Sequence, residues 1–150
     1  MAVYTVQNAP MPVRSSRQVL SILLIEDDPI DQEATRRALA QAGFPFKLQV
    51  ASDGAAGLAC LRSGATFDLV LLDLKMPRCG GIEVLADLHT TPPVPIPPVV
   101  VLTSSDSDAD RRSCWAHGVR GYFIKPLAGV QLTRLMDVIC SYWSLSLPSP

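Results

Sequence analysis

Five short apolar runs alternate with five helical patterns along this 150-residue chain, with no long spacer between them. The runs cover residues 21–25, 47–51, 69–72, 99–102 and 121–124. The helical patterns cover residues 29–42, 55–62, 82–88, 109–116 and 130–143. Strict alternation of strand and helix implies an α/β domain: a doubly wound, five-stranded parallel sheet, helices on both faces, right-handed crossovers. Local signals agree with the boundaries. Asp28 before Pro29 reads as an N-cap followed by proline at the first helical position. Gly43 closes that helix, and Asp53, Gly64 and Gly118 punctuate later junctions.

Four of the five runs end on chemistry. Ile22-Leu23-Leu24-Ile25 leads into Glu26-Asp27-Asp28, and Leu69-Val70-Leu71-Leu72 delivers Asp73, followed by Leu74-Lys75-Met76-Pro77 and the Gly80-Gly81 pair. If these two strands are parallel neighbours, Glu26, Asp27 and Asp73 converge at one edge of the sheet. Close carboxylates repel unless a cation or protons intervene, and hard oxygen ligands of this type suit Mg²⁺. Thr103 ends the fourth run and Lys125 the fifth. A hydroxyl and an ammonium beside a metal and a carboxylate are the parts needed to hold phosphoryl oxygens. Parallel sheets bind ligands beyond the carboxyl ends of their strands, where all of these residues stand.

Composition narrows the function classes. A formal net charge of −1 leaves no electrostatic footprint for nucleic acid, and no basic run suggests a membrane surface. No apolar stretch reaches the roughly 20 residues needed to span a bilayer. Residues 1–18 lack the apolar region of a signal peptide and read as a flexible leader, with the domain at 19–143 and a tail at 144–150. Cys60, Cys79, Cys114 and Cys140 form no C-x-x-C pair and read as buried free thiols of a cytoplasmic protein, with Cys79 in the loop beside Asp73 the more accessible one. Cys114 and His117 lack a second ligand pair for a metal. Pro92, Pro93, Pro95, Pro97 and Pro98 form a stiff connector ahead of the fourth strand.

Taken together, Glu26-Asp27, Asp73 with Met76-Pro77, Thr103-Ser104 and Lys125-Pro126 stand in an order and spacing that resembles the response-regulator receiver domain of two-component signalling, over roughly residues 19–143. The resemblance implies a flavodoxin-like strand order of 2-1-3-4-5. It implies that Asp73 accepts a phosphoryl group from a phosphohistidine on a sensor histidine kinase. It also implies Mg²⁺ held by Asp27, Asp73 and the backbone carbonyl of Lys75, with Glu26 reaching the metal through water. Thr103 and Lys125 match the residues that grip the phosphoryl oxygens, Tyr122 matches an aromatic switch position, and the Lys125-Pro126 bond is expected to be cis. Lys75 and Ser105 depart from the commonest family residues and leave the lifetime of a phosphorylated state open.

The chain ends soon after the last helix, so output is expected through a partner surface or onward transfer. On that helix Leu132, Leu135, Met136, Ile139 and Trp143 form the core stripe. Val138 and Tyr142 lie off it, and Leu145 and Leu147 continue beyond it, which suggests a homodimer through the last helix and tail. The tyrosine-tryptophan ending and proline-rich connector are similar to single-domain regulators paired with bacterial phytochrome kinases; a chemotaxis-type or phosphorelay shuttle regulator is the competing sub-family. The expectation is of a protein that catalyses only its own phosphotransfer and dephosphorylation. A haloacid-dehalogenase-like phosphatase also uses an aspartate after a parallel strand, but needs a second acid where Lys75 stands. Neither phosphate-binding glycine motif of nucleotide-binding modules occurs.

Overall fold

Residues 19–125 and 129–145 are described by a computed structural model. Strands β1 (Leu20–Ile25), β2 (Phe46–Ala51), β3 (Leu69–Leu72), β4 (Val99–Thr103) and β5 (Gly121–Ile124) alternate with helices α1 (Pro29–Gln41), α2 (Gly54–Arg62), α3 (Gly81–Thr90), α4 (Asp108–Ala116) and α5 (Val130–Leu145). The strands form one parallel sheet in the order β2-β1-β3-β4-β5. This is the doubly wound arrangement and the strand order expected.

Side chains that alternate along the strands feed two separate cores. Leu23, Ile25, Val70, Leu72, Val99 and Val101 pack with Leu58, Leu61, Val84, Leu85 and Cys114 of α2, α3 and α4. Ile22, Leu24, Leu69, Leu71, Val100 and Leu102 pack with Ala38 and Leu39 of α1 and with Leu132, Met136, Ile139 and Cys140 of α5. All four residues of β3 are buried, because helices cover both of its faces. The continuous apolar runs in the sequence have this origin.

Helix starts follow their capping residues. Asp28 accepts a hydrogen bond from the Ile30 N–H at 2.8 Å with Pro29 in the first turn, and Asp53 accepts from the Ala56 N–H at 2.7 Å. Gly43, where α1 gives way to the next loop, has φ +77°, a left-handed conformation that favours glycine. The last helix runs through Leu145, two residues past the end expected from its apolar stripe. Its stripe divides: Leu132, Met136 and Ile139 are buried, Leu135 and Trp143 pack partly, and Cys140 joins the core. Pro126 and Leu147 lie outside the described residues, as do the leader, residues 1–18, and residues 146–150 of the tail. Among the described residues no helix is long and apolar enough to cross a membrane.

Candidate functional site

Parallel pairing of β1 with β3 puts Ile25 beside Leu72, so Glu26, Asp27 and Asp73 emerge together at one rim. The backbone fixes them there: the Asp73 N–H donates to the Ile25 carbonyl at 3.0 Å, and the Glu26 N–H to the Ala51 carbonyl at 3.0 Å. A ligand oxygen from each of the three carboxylates lies within 4.8 Å of the others. Glu26 and Asp73 are buried and Asp27 is half-buried.

Electrostatics follow from this crowding. Burial pushes the Glu26 carboxyl up to about 7, and the nearby Asp73 charge adds to that rise against the opposing pull of Lys125. Burial also raises Asp73 above the usual carboxylate range, with Asp27 contributing, although Lys125 and the Lys75 N–H oppose the rise. Two acids held above their ordinary range beside a third make a donor set that gains by acquiring positive charge. All three offer the hard oxygens that a small divalent cation prefers, so the residues present fit such an ion.

One cation of the chain already stands there. The ammonium of Lys125 donates to Glu26 Oε2 at 2.6 Å and to Asp31 Oδ2 at 2.9 Å. Burial works against the charged form of Lys125, but these two carboxylates outweigh it and raise its pKa. β5 positions the lysine through the bond from its N–H to the Thr103 carbonyl, 2.6 Å long. Thr103 is fully buried, and its hydroxyl oxygen accepts the Ser105 N–H at 3.2 Å.

The loop after β3 closes the rim from the other side. The Lys75 N–H donates to Asp73 Oδ1 at 3.4 Å while the Lys75 side chain is exposed. Gly81 is required for close approach: a Cβ there would stand 2.5 Å from the Asp73 carbonyl oxygen and 2.7 Å from the Leu74 Cα. Cys79 is half-buried beside Gly54, and burial with nearby Glu83, Asp87 and Asp53 raises its thiol pKa, so it is not activated as a nucleophile.

Tyr122 is half-buried against the core, and its hydroxyl donates to the Ser105 carbonyl at 2.8 Å. The side chain is already turned toward the loop that follows Thr103. Cys114 is buried, and His117 Nδ1 lies 2.7 Å from the Ser113 carbonyl oxygen, so these two do not form a metal site.

Sequence reasoning placed Glu26, Asp27, Asp73, Thr103, Lys75 and Lys125 at one rim, and the fold brings them there. It missed Asp31 and Gln32. Gln32 donates to the Glu26 carbonyl at 2.7 Å and orients the acidic turn. In sequence Asp31 is only an acid in the first turn of a helix, and its contact with Lys125 spans 94 residues.

The family model described as the response regulator receiver domain matches residues 22–137. A probable methanogenesis regulatory protein, FilR2 of Methanothrix harundinacea, is 38% identical over 127 residues, which cover 81% of this chain and 82% of that protein. Response regulator Rcp1 of Synechocystis sp. is 31% identical over 136 residues, covering 85% of this chain and 92% of Rcp1. The solved Mn²⁺-bound form of Rcp1 superimposes with a TM-score of 0.75, at 30% identity, covering 87% of this chain and 99% of that one. The phosphorylated cyanobacterial phytochrome response regulator RcpA gives a TM-score of 0.78 at 31% identity, covering 88% of this chain and all of that one.

Proposed function

The chain belongs to the response-regulator receiver family, and from that premise we propose that it accepts a phosphoryl group on Asp73 from a phosphohistidine of a sensor histidine kinase. The observation that carries this reading is the convergence of Glu26, Asp27 and Asp73 within 4.8 Å, with the Lys125 ammonium bonded to the same cluster. In the reaction a carboxylate oxygen of Asp73 forms a bond to phosphorus. The bond from phosphorus to the imidazole nitrogen breaks, and the nitrogen keeps the electron pair. Lys125 and Thr103 hold phosphoryl oxygens in line for this transfer. Mg²⁺, held by Asp27, Asp73 and the Lys75 backbone carbonyl with Glu26 through water, would neutralise the phosphoryl charge. Support for a divalent ion comes from the donor set and from the Mn²⁺-bound form of Rcp1.

The added charge of about −1.5 to −2 draws on Thr103 and Lys125. Thr103 is tied to Ser105 and Ser105 to Tyr122, so the pull reaches β5 through two hydrogen bonds. Tyr122 then follows the loop inward, shifting an existing balance of states. Beyond this self-modification and its reversal the chain is not an enzyme. A phosphatase would need an acid where Lys75 stands, and turnover of a generic phosphate ester would reveal one.

Likeness to Rcp1 and RcpA favours partnership with a phytochrome-type histidine kinase, and the free thiols suit a cytoplasmic regulator. Transfer from a chemotaxis-type or phosphorelay kinase, with none from a phytochrome kinase, would move it to the competing sub-family. Val138, Tyr142 and Leu145 form an exposed apolar stripe on α5, and Tyr142 stacks edge-on with Trp143, with ring centroids 4.7 Å apart. That stripe fits a homodimer through the last helix and tail; a monomer by sedimentation at high micromolar concentration, with and without acetyl phosphate, would refute it. The test of the central reading is mass spectrometry after incubation with acetyl phosphate and Mg²⁺. One phosphate mapped to Asp73, and none on Asp73→Asn, is the expected result; phosphate elsewhere or absent from the wild type overturns the reading.

A further inference from the structure

The ammonium of Lys125 has three hydrogens, and two are committed, to Glu26 Oε2 and to Asp31 Oδ2. Glu26 belongs to the acidic cluster. Asp31 stands apart from it on the first turn of α1. A cavity of about 20 Å³, lined by Asp31, Ala34, Thr35, Leu102, Lys125 and Leu132, adjoins the pair. That is room for about one water.

We propose that Asp31 is a positioning residue that competes with the phosphoryl group for Lys125, and so limits how readily this site takes up phosphate and how firmly it keeps it. The inference rests on phosphorylation at Asp73. During labelling by acetyl phosphate, an Asp73 oxygen forms its bond to phosphorus, the bond to the acetate oxygen breaks, and acetate leaves with the electron pair. Negative charge on the transferred group must be balanced throughout, and Lys125 supplies that balance. A carboxylate at 2.9 Å from the ammonium draws on the same positive charge and repels the arriving anion. The Asp31 side chain is 40% exposed, so water weakens the competition without abolishing it. Glu26 keeps Lys125 at the rim when Asp31 lets go.

Asp31→Asn preserves the shape and an accepting oxygen while removing the charge. Its initial rate of labelling by acetyl phosphate with Mg²⁺, read by mass spectrometry, is expected to be about three- to tenfold faster than wild type. Asp31→Glu is expected to return toward the wild-type rate, and the gain is expected to vanish in a Lys125→Ala background. Without metal, urea unfolding of the two single variants and the double variant is expected to be non-additive by at least about threefold in the unfolding constant. Equal or slower labelling of Asp31→Asn, the same gain without Lys125, or additive unfolding overturns the proposal. A residue serving only as the acidic group of a helix's first turn would give additive unfolding and unmoved labelling. Wild type that takes no label at Asp73 overturns both this inference and the function it rests on; a labelled wild type matched by Asp31→Asn overturns this inference alone.

Discussion

The hydroxyl of Tyr122 donates to the backbone carbonyl of Ser105 at 2.8 Å, binding β5 to the loop that leaves β4. The acceptor is main chain, so the ring's packing and its hydrogen bond can be separated. Tyr122→Phe is expected to keep the ring in place and to cost about 1 kcal/mol in urea unfolding. A loss near zero would mean that water replaces the contact without penalty.

Glu26 makes stability depend on pH. Its folded value of about 7 stands above the ordinary 4.5, so the folded state holds a proton that the unfolded chain has already released. The contribution of Glu26 to the stability of the metal-free protein is therefore full below about pH 4.5 and is lost as pH rises through 7, by on the order of 3 kcal/mol. Chemical denaturation in the presence of a chelator between pH 5 and pH 8 measures this. Glu26→Gln is expected to flatten the profile in that window.

Asp73 is buried beside two other acids and is held above its usual range by burial. Asp73→Asn is expected to raise the stability of the metal-free protein by about 1 kcal/mol while abolishing labelling, a trade between stability and activity. Mg²⁺ is expected to raise the unfolding temperature of the wild type and to leave that of Asp73→Asn unmoved. Thermal scans with and without the ion check both statements.

Gly81 allows α3 to begin against the backbone that follows β3. Its missing Cβ would meet main-chain atoms of Asp73 and Leu74, which cannot rotate away. Gly81→Ala is expected to destabilise the protein by about 1–3 kcal/mol and to slow labelling, because relief of the clash must move Asp73. Denaturation and labelling of this one variant test the coupling.

Much of this molecule was legible in its sequence, for a physical reason. A strand covered on both faces must be apolar throughout, so Leu69–Leu72 and Val99–Leu102 stood out as unbroken runs, and the polar residue ending each run marked the rim. Helix ends were set by Asp28, Asp53 and the left-handed glycines, and the sequence boundaries differ from the observed ones by at most two residues. Contacts made across the fold were not legible in this way. Asp31 looked like one more acid in the first turn of a helix; its bond to Lys125, 94 residues away, exists only because β5 and α1 meet at the same rim. Tyr122 could be located but not its partner, since a carbonyl carries no mark of its own in a sequence.

The middle strand of the sheet serves both hydrophobic compartments: Val70 and Leu72 face one, Leu69 and Leu71 the other. If Asp73 carries the proposed phosphoryl group, that group sits at the end of a strand whose side chains are shared evenly between the two cores.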